Sequence, residues 1–168
     1  VDEFGRAWDF NKPEMRRHAI ERIQSEKPYL LIGSPMCSHW SLIMNLNWKK
    51  LGPEAKEEMM RRARVHLKFV CYLYRLQHEA GRYYLHEHPI AASSWAEECV
   101  QTVKRITGGS IIKLDQCEFG LTSVGDDGRE RPAKKRTGML TNCPAMGVTL
   151  NRSCRRDHEH TQLIGGGR

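Results

Sequence analysis

An α/β layered domain with a mostly parallel sheet and helices on both faces is the fold the sequence predicts, and three observations predict it. Short apolar runs rich in strand formers alternate with longer segments of helical period. The helical segments carry start and stop signals of the expected chemistry. The chain of 168 residues, 39% hydrophobic and 28% charged, is long enough for one domain with a core and too short for two comfortable ones.

The first helix is expected after Asn11 or Asp9 as cap, with Pro13 in its first turn and Met15, Ala19, Ile20 and Ile23 on one face. Lys27-Pro28 ends it, and Tyr29-Leu30-Leu31-Ile32 reads as a buried strand stopping at Gly33. A polar connection leads to Leu51-Gly52. A long helix follows from Pro53 to about Ala80, with Ala63, Leu67, Val70, Tyr74 and Gln77 at helical spacing and Gly81 as its stop. Arg82 to His86 is the next strand, ending in Glu87-His88-Pro89. Ser94-x-x-Glu97 reads as a capping box for a helix carrying Trp95, Cys99, Val100 and Val103. Gly108-Gly109 closes that helix, and Ser110 to Leu114 forms a further strand.

The pattern changes after Gly120. Gly125-Asp126-Asp127-Gly128 is a turn, Arg129 to Arg136 a basic stretch interrupted by Pro132, and the remainder is short and irregular up to Gly165-Gly166-Gly167-Arg168. Residues 1–120 are thus expected to form the α/β core. Residues 121–168 are expected to form a basic, loop-rich extension on or beside it.

Composition narrows the function classes. No apolar run approaches the roughly 18 residues a membrane helix needs, so no membrane partner is expected. The six cysteines at 37, 71, 99, 117, 143 and 154 form no CxxC pair. A reducing compartment, cytoplasmic or nuclear, is therefore expected rather than a disulfide framework. A formal net charge of +7 favours a polyanionic partner such as nucleic acid. The start at Val1, with no Met and no signal-like segment, reads as a processed chain or a piece of a longer one.

The candidate chemistry sits at strand ends. In open α/β sheets ligands bind outside the carboxyl ends of the strands. Cys37 follows one such end on the Pro-stiffened turn Ser34-Pro35-Met36-Cys37-Ser38-His39-Trp40-Ser41, and Glu87 lies at the next. A right-handed crossover through the long helix would open both ends on one side of the sheet. Thiol and carboxyl are then expected to share a cleft.

These residues carry a family resemblance. The turn from Ser34 to Ser41 resembles the Pro-Pro-Cys-Gln-x-Phe-Ser motif of DNA cytosine-5 methyltransferases, and Leu85-His86-Glu87-His88-Pro89 resembles their strand-end Glu-Asn-Val motif. Asp9-Phe10 is similar to the Asp-Ile pair at the end of the family's preceding strand, and the three elements keep the family's order. Met36, Ser38 and His88 depart from it, standing where the family has Pro, Gln and Asn. The resemblance implies a Rossmann-like methyltransferase sheet, here lacking its first strands. It implies methyl transfer from S-adenosylmethionine to cytosine C5 in DNA. Cys37 would add covalently to C6 and Glu87 would serve the ring N3. Asp9, Phe10, Ser34 and Pro35 would line the cofactor site. Only eight residues precede Asp9, so the family's glycine-rich loop, and with it the cofactor, is expected only in a longer protein.

In the last third, Asp115-Gln116-Cys117-Glu118-Phe119-Gly120 loosely resembles the region before the family's basic catalytic-loop motif. The resemblance implies Arg136, the first choice within Lys134-Lys135-Arg136, as the cation polarising the pyrimidine carbonyl, against a solvated charge run or plain phosphate contact. Lys134, Lys135, Arg155 and Arg156, with Ser38 and Ser41 on the cysteine turn, are the expected nucleic-acid contacts. Cys154-x3-His158-x-His160, with Cys143 upstream, contains ligand types suited to zinc, but the spacing fits no common finger. It is left open against surface or phosphate-contact roles, and no metal ligand is assigned. The competing expectations are a catalytically inactive methyltransferase-like nucleic-acid-binding module and a zinc-stabilised interaction domain.

Overall fold

The computed structural model describes residues 5, 8–41, 52–161 and 163. The connection expected between Ser41 and Leu51 and the glycine run at 165–167 lie outside them. Helix α1 (Pro13–Glu26) begins at N-cap Lys12, whose side chain makes no capping bond. The expected caps act differently. Asp9 Oδ1 accepts the Asn11 backbone N–H at 3.1 Å and the Asn11 side-chain amide at 3.2 Å, closing a turn just before the helix. Lys27 ends α1 in the left-handed conformation, φ 48°.

Strand β1 (Leu30–Gly33) follows, then a short 3-10 turn at Ser38–Trp40 and the long helix α2 (Pro53–Glu79). Leu67, Val70, Cys71, Tyr74 and Gln77 bury one stripe of α2, the face its helical spacing predicts. Gln77 is fully buried and satisfied. Its amide N–H groups donate to the Pro28 and Tyr83 carbonyls, at 2.9 and 3.1 Å, and its oxygen accepts from Arg82 Nε at 2.8 Å. One side chain of α2 thereby pins the starts of two neighbouring strands. Gly81, at φ +69°, turns the chain out of the helix into the second of them.

That strand is β2 (Tyr83–Pro89), followed by a 3-10 turn at Ser93–Ala96, helix α3 (Glu98–Thr107) and strand β3 (Ser110–Asp115). The capping box expected at Ser94 is not formed. Ser94 is buried in the 3-10 turn, where its hydroxyl meets His88 Nδ1 at 2.5 Å, and Glu97 is the N-cap of α3. Trp95 likewise lies in that turn, not in the helix.

The later residues form the hairpin β4 (Thr122–Val124) and β5 (Glu130–Pro132), strand β6 (Arg136–Thr141) and the short helix α4 (Pro144–Leu150). Gly128 sits at φ +74° in the expected hairpin turn. The main correction concerns β6. The segment after 120 is not merely an irregular extension, because β6 enters the four-stranded sheet in the order β1-β2-β6-β3. It runs antiparallel to both β2 and β3, while β1 and β2 are parallel. The sheet is mixed rather than mostly parallel.

Because β6 opposes both neighbours, β1, β2 and β3 point the same way and their carboxyl ends share one edge. Tyr84 and Leu140 on one face join Trp40, Leu67, Val70, Tyr74, Val100 and Val103 in the main core under α2 and α3. α1 packs Ala19 and Ile23 on Phe69 and Leu73 of α2. The opposite face carries Ile112, whose Cδ1 lies near Gly147 of α4. Helices thus stand on both faces, as expected. Among the described residues no helix is long and apolar enough to cross a membrane.

Candidate functional site

The chemistry-bearing residues gather along the shared carboxyl edge. β1 delivers the turn from Ser34 onward, β2 delivers Glu87 and His88, β3 delivers Asp115, and the approach to β6 delivers Lys135, with Arg136 as the strand's first residue. β2 alternates its side chains, so His88 and Glu87 leave on opposite faces. Both reach back to the cysteine turn. Ser34 Oγ donates to Glu87 Oε2 at 2.7 Å, and His88 Nε2 lies 2.8 Å from the Pro35 carbonyl. A carbonyl can only accept, so His88 carries its proton on Nε2, and Nδ1 accepts a hydrogen bond from the Ser94 hydroxyl. The turn holding Cys37 is therefore tied to β2 from both faces of the sheet.

Glu87 has a second neighbour. Lys135 Nζ lies 3.6 Å from Glu87 Oε1, close enough for attraction but outside hydrogen-bond range. Oε1 is buried and has no hydrogen-bond partner among the described residues. Arg136, expected to be the site's cation, turns instead to Asp115, with Nε 3.3 Å from Oδ1. Burial alone would raise the Asp115 carboxyl. The Cys154 backbone N–H, Lys134 and Arg136 outweigh it and hold that carboxyl below its usual range. Lys134, Lys135 and Arg136 line one open groove of about 480 Å³ with His160, Thr161 and Leu163.

The other expected residues divide. Cys37, half-buried, is the N-cap of the 3-10 turn and its thiol is free. Ser38 and Ser41 bond within that same turn, Ser41 Oγ donating to the Ser38 carbonyl at 3.1 Å and Ser38 Oγ lying 3.4 Å from His39 Nδ1. Arg155 bends onto Glu118 and Asp157 at 3.3 and 3.7 Å, and Arg156 is exposed with its backbone at φ 63°. Phe10, Ser34 and Pro35 line one apolar groove of about 560 Å³ with Trp8, His66 and Tyr74.

That groove does not by itself make a cofactor site. Asp9 Oδ1 is spent on Asn11, the Phe10 ring packs on Phe69 and His66 at 5.0 and 5.4 Å, and Ser34 is committed to Glu87. S-adenosylmethionine also needs acceptors for its ribose hydroxyls and donors for its carboxylate. These four residues do not supply that set.

A second constellation adjoins the edge. Cys117, in the 3-10 turn after β3, stands with Cys154, His158 and His160, one ligand atom of each lying within 4.8 Å of the others. Cys143, the cysteine expected beside that motif, is instead the N-cap of α4. Cys117 carried no local signal, because its partners begin 154 − 117 = 37 positions later. Lys135 was visible in the basic stretch, but nothing local distinguished it from Arg136 as the partner of Glu87. No family model matches the chain, and no curated protein matches it.

Proposed function

We propose that the carboxyl edge binds a nucleic acid and that Glu87 seats an amino-bearing base, cytosine first among them. The observation that carries this reading is Glu87 Oε1, a buried acceptor with no donor among the described residues, on a carboxylate held by Ser34 of the cysteine turn and facing Lys135 of the cation-lined groove. A buried carboxylate oxygen lacking a hydrogen bond is costly unless a ligand completes it. The exocyclic amino group of cytosine is a natural donor to a carboxylate. Lys134, Lys135 and Arg136 then meet phosphates, which fixes the strand without reading it. The sheet also suits the later half of a Rossmann-like methyltransferase domain, in which three co-directional strands present their carboxyl ends to the substrate.

Anisotropy titrations of the whole chain with cytosine-containing and cytosine-free single strands test this. Affinity should fall with salt at a logarithmic slope near −2, about −0.7 for each of three cations. Glu87→Ala should erase the preference for cytosine while leaving that slope in place. Binding that ignores salt, or no cytosine preference in the parent, would refute the reading.

A second reading is covalent, and the double tie between the cysteine turn and β2 favours it. The Cys37 sulfur would bond to C6 of an unstacked cytosine, the C5=C6 electron pair would shift toward N3, and a proton would pass through Glu87 to N3. Reversal of these movements expels the thiolate. Methyl transfer to C5 would further require S-adenosylmethionine, for which Asp9, Phe10, Ser34 and Pro35 alone do not supply the ribose and carboxylate partners. Incubation with 5-azacytosine DNA separates the two readings, because only the covalent one yields a Cys37-linked species by mass spectrometry.

A further inference from the structure

We propose that Cys117, Cys154, His158 and His160 form a closed, structural zinc site that fastens the segment after α4 to the carboxyl end of β3. The ligand atoms converge. Cys154 Sγ lies 3.7 Å from His158 Nε2 and 3.4 Å from His160 Nε2, and the two Nε2 atoms are 3.0 Å apart. Around tetrahedral zinc, bonds of about 2.3 Å to sulfur and about 2.05 Å to nitrogen give S···N edges near 3.6 Å and N···N edges near 3.3 Å. These three edges lie within about 0.3 Å of those values, and Cys117 Sγ, the fourth ligand atom, lies within 4.8 Å of each of the others. Two imidazole nitrogens and a sulfur facing one point can each give a lone pair to one cation.

The surroundings are those of a supported metal centre. Asp157 Oδ1 sits 2.8 Å from His158 Nδ1, which places the proton on Nδ1 and leaves Nε2 free to ligate. The Arg156 backbone N–H donates to Cys154 Sγ at 3.3 Å, and the left-handed φ of 63° at Arg156 belongs to the turn that aims it there. Such a bond orients the sulfur toward the two imidazoles. The two halves of the site are also docked without metal. Cys154 N–H donates to Asp115 Oδ2 at 2.9 Å, Arg155 N–H to Glu118 Oε1 at 3.0 Å, and Asp115 N–H to the Arg152 carbonyl at 3.0 Å.

Four protein ligands leave no open coordination position, so the centre holds structure and activates no water. Its mechanical role follows from what comes next in the chain. Immediately after His160, Thr161 bridges to Ala133 and donates its N–H to the Pro132 carbonyl at 2.9 Å. A bound zinc would thereby fix the wall of the groove that Lys134, Lys135 and Arg136 line. The assignment does not depend on nucleic-acid binding, and its test contains none.

The whole chain is purified without added chelator, assayed for metal, and then reconstituted with cobalt(II). One zinc per chain and the intense visible absorption of tetrahedral cobalt with thiolate charge transfer are expected. Cys154→Ser and Cys117→Ser should each lose part of the charge-transfer band, and Cys143→Ser should leave it unchanged. Should Cys117→Ser fold poorly by circular dichroism, the Cys143→Ser spectrum decides, since an intact two-thiolate band there supports the ligand set. Absence of stoichiometric metal, weak octahedral absorption, or a band lost in Cys143→Ser would overturn the proposal.

Discussion

His88 joins two segments that the sheet alone would not hold together: its Nε2 faces the Pro35 carbonyl at 2.8 Å and its Nδ1 the Ser94 hydroxyl at 2.5 Å. The ring is wholly buried, so neither partner has water as a substitute. His88→Ala should therefore leave a carbonyl and a hydroxyl unmet, a loss of ~2–4 kcal/mol in urea unfolding. The same variant should speed the reaction of Cys37 with a thiol reagent, because the turn is freed. Unchanged stability and unchanged thiol kinetics together would contradict the tie.

Gly33 ends β1 under the ring of Tyr74, and a Cβ there would lie 2.0 Å from the Tyr74 hydroxyl oxygen. Tyr74 cannot easily yield, since its hydroxyl meets His86 Nδ1 at 3.1 Å and its ring stacks on Tyr84 at 4.7 Å. Gly33→Ala should cost roughly 1–3 kcal/mol through overpacking, read as a lower Tm. An unaltered Tm would mean that α2 stands further from the strand.

Stability should fall on acidification before most carboxyls titrate. Burial, with a smaller contribution from His88, pushes the His86 imidazole down to about 3. His88 is likewise lowered, by burial first, although the Pro35 carbonyl and Glu87 pull the other way. In the unfolded chain both return to about 6.5, so the unfolded state takes up protons first. The stabilisation is complete above about pH 6.5 and drains as pH falls toward the folded values, by up to about 1.4 kcal/mol per pH unit per histidine. Urea midpoints at pH 7, 6 and 5 measure this, and His86→Asn should flatten the slope. A midpoint constant from pH 7 to 5 would be inconsistent with two buried neutral imidazoles.

Two adjacent cations, Lys135 just before β6 and Arg136 at its start, should separate in function. Lys135→Ala removes the charge beside Glu87, while Arg136→Ala leaves Asp115 with its Cys154 N–H but without its guanidinium. Both should lower the salt slope for nucleic acid by about 0.7. Only Lys135→Ala should also change the cytosine preference measured by anisotropy. Equal effects on that preference would place Arg136 at the base as well.

Much of this architecture was legible from local pattern. The buried stripe Leu67, Val70, Tyr74, Gln77 and the turn at Gly125–Gly128 appear where periodicity and glycine placement put them. β6 did not, because its sequence Arg-Thr-Gly-Met-Leu-Thr follows a charge run and holds a glycine under Trp95, whose Cζ2 would meet a Cβ at 2.6 Å. Its place depends on long-range pairing with β2 and β3, which no window of ten residues contains. The choice between Lys135 and Arg136 was hidden similarly, since their carboxylate partners, Glu87 and Asp115, lie 135 − 87 = 48 and 136 − 115 = 21 positions upstream in two different strands. At Ser94 a local signal was overridden by tertiary structure, because buried His88 claimed the hydroxyl first.

The position of β6 also constrains how this polypeptide can be born. β2 and β3 are not direct neighbours, so the stretch up to Asp115 cannot complete the four-stranded sheet before β6 is synthesised. Only when Arg136–Thr141 emerges can the waiting strands be zipped, from both sides at once. Nascent chains halted before that segment should thus be protease-sensitive, and those halted well beyond it resistant.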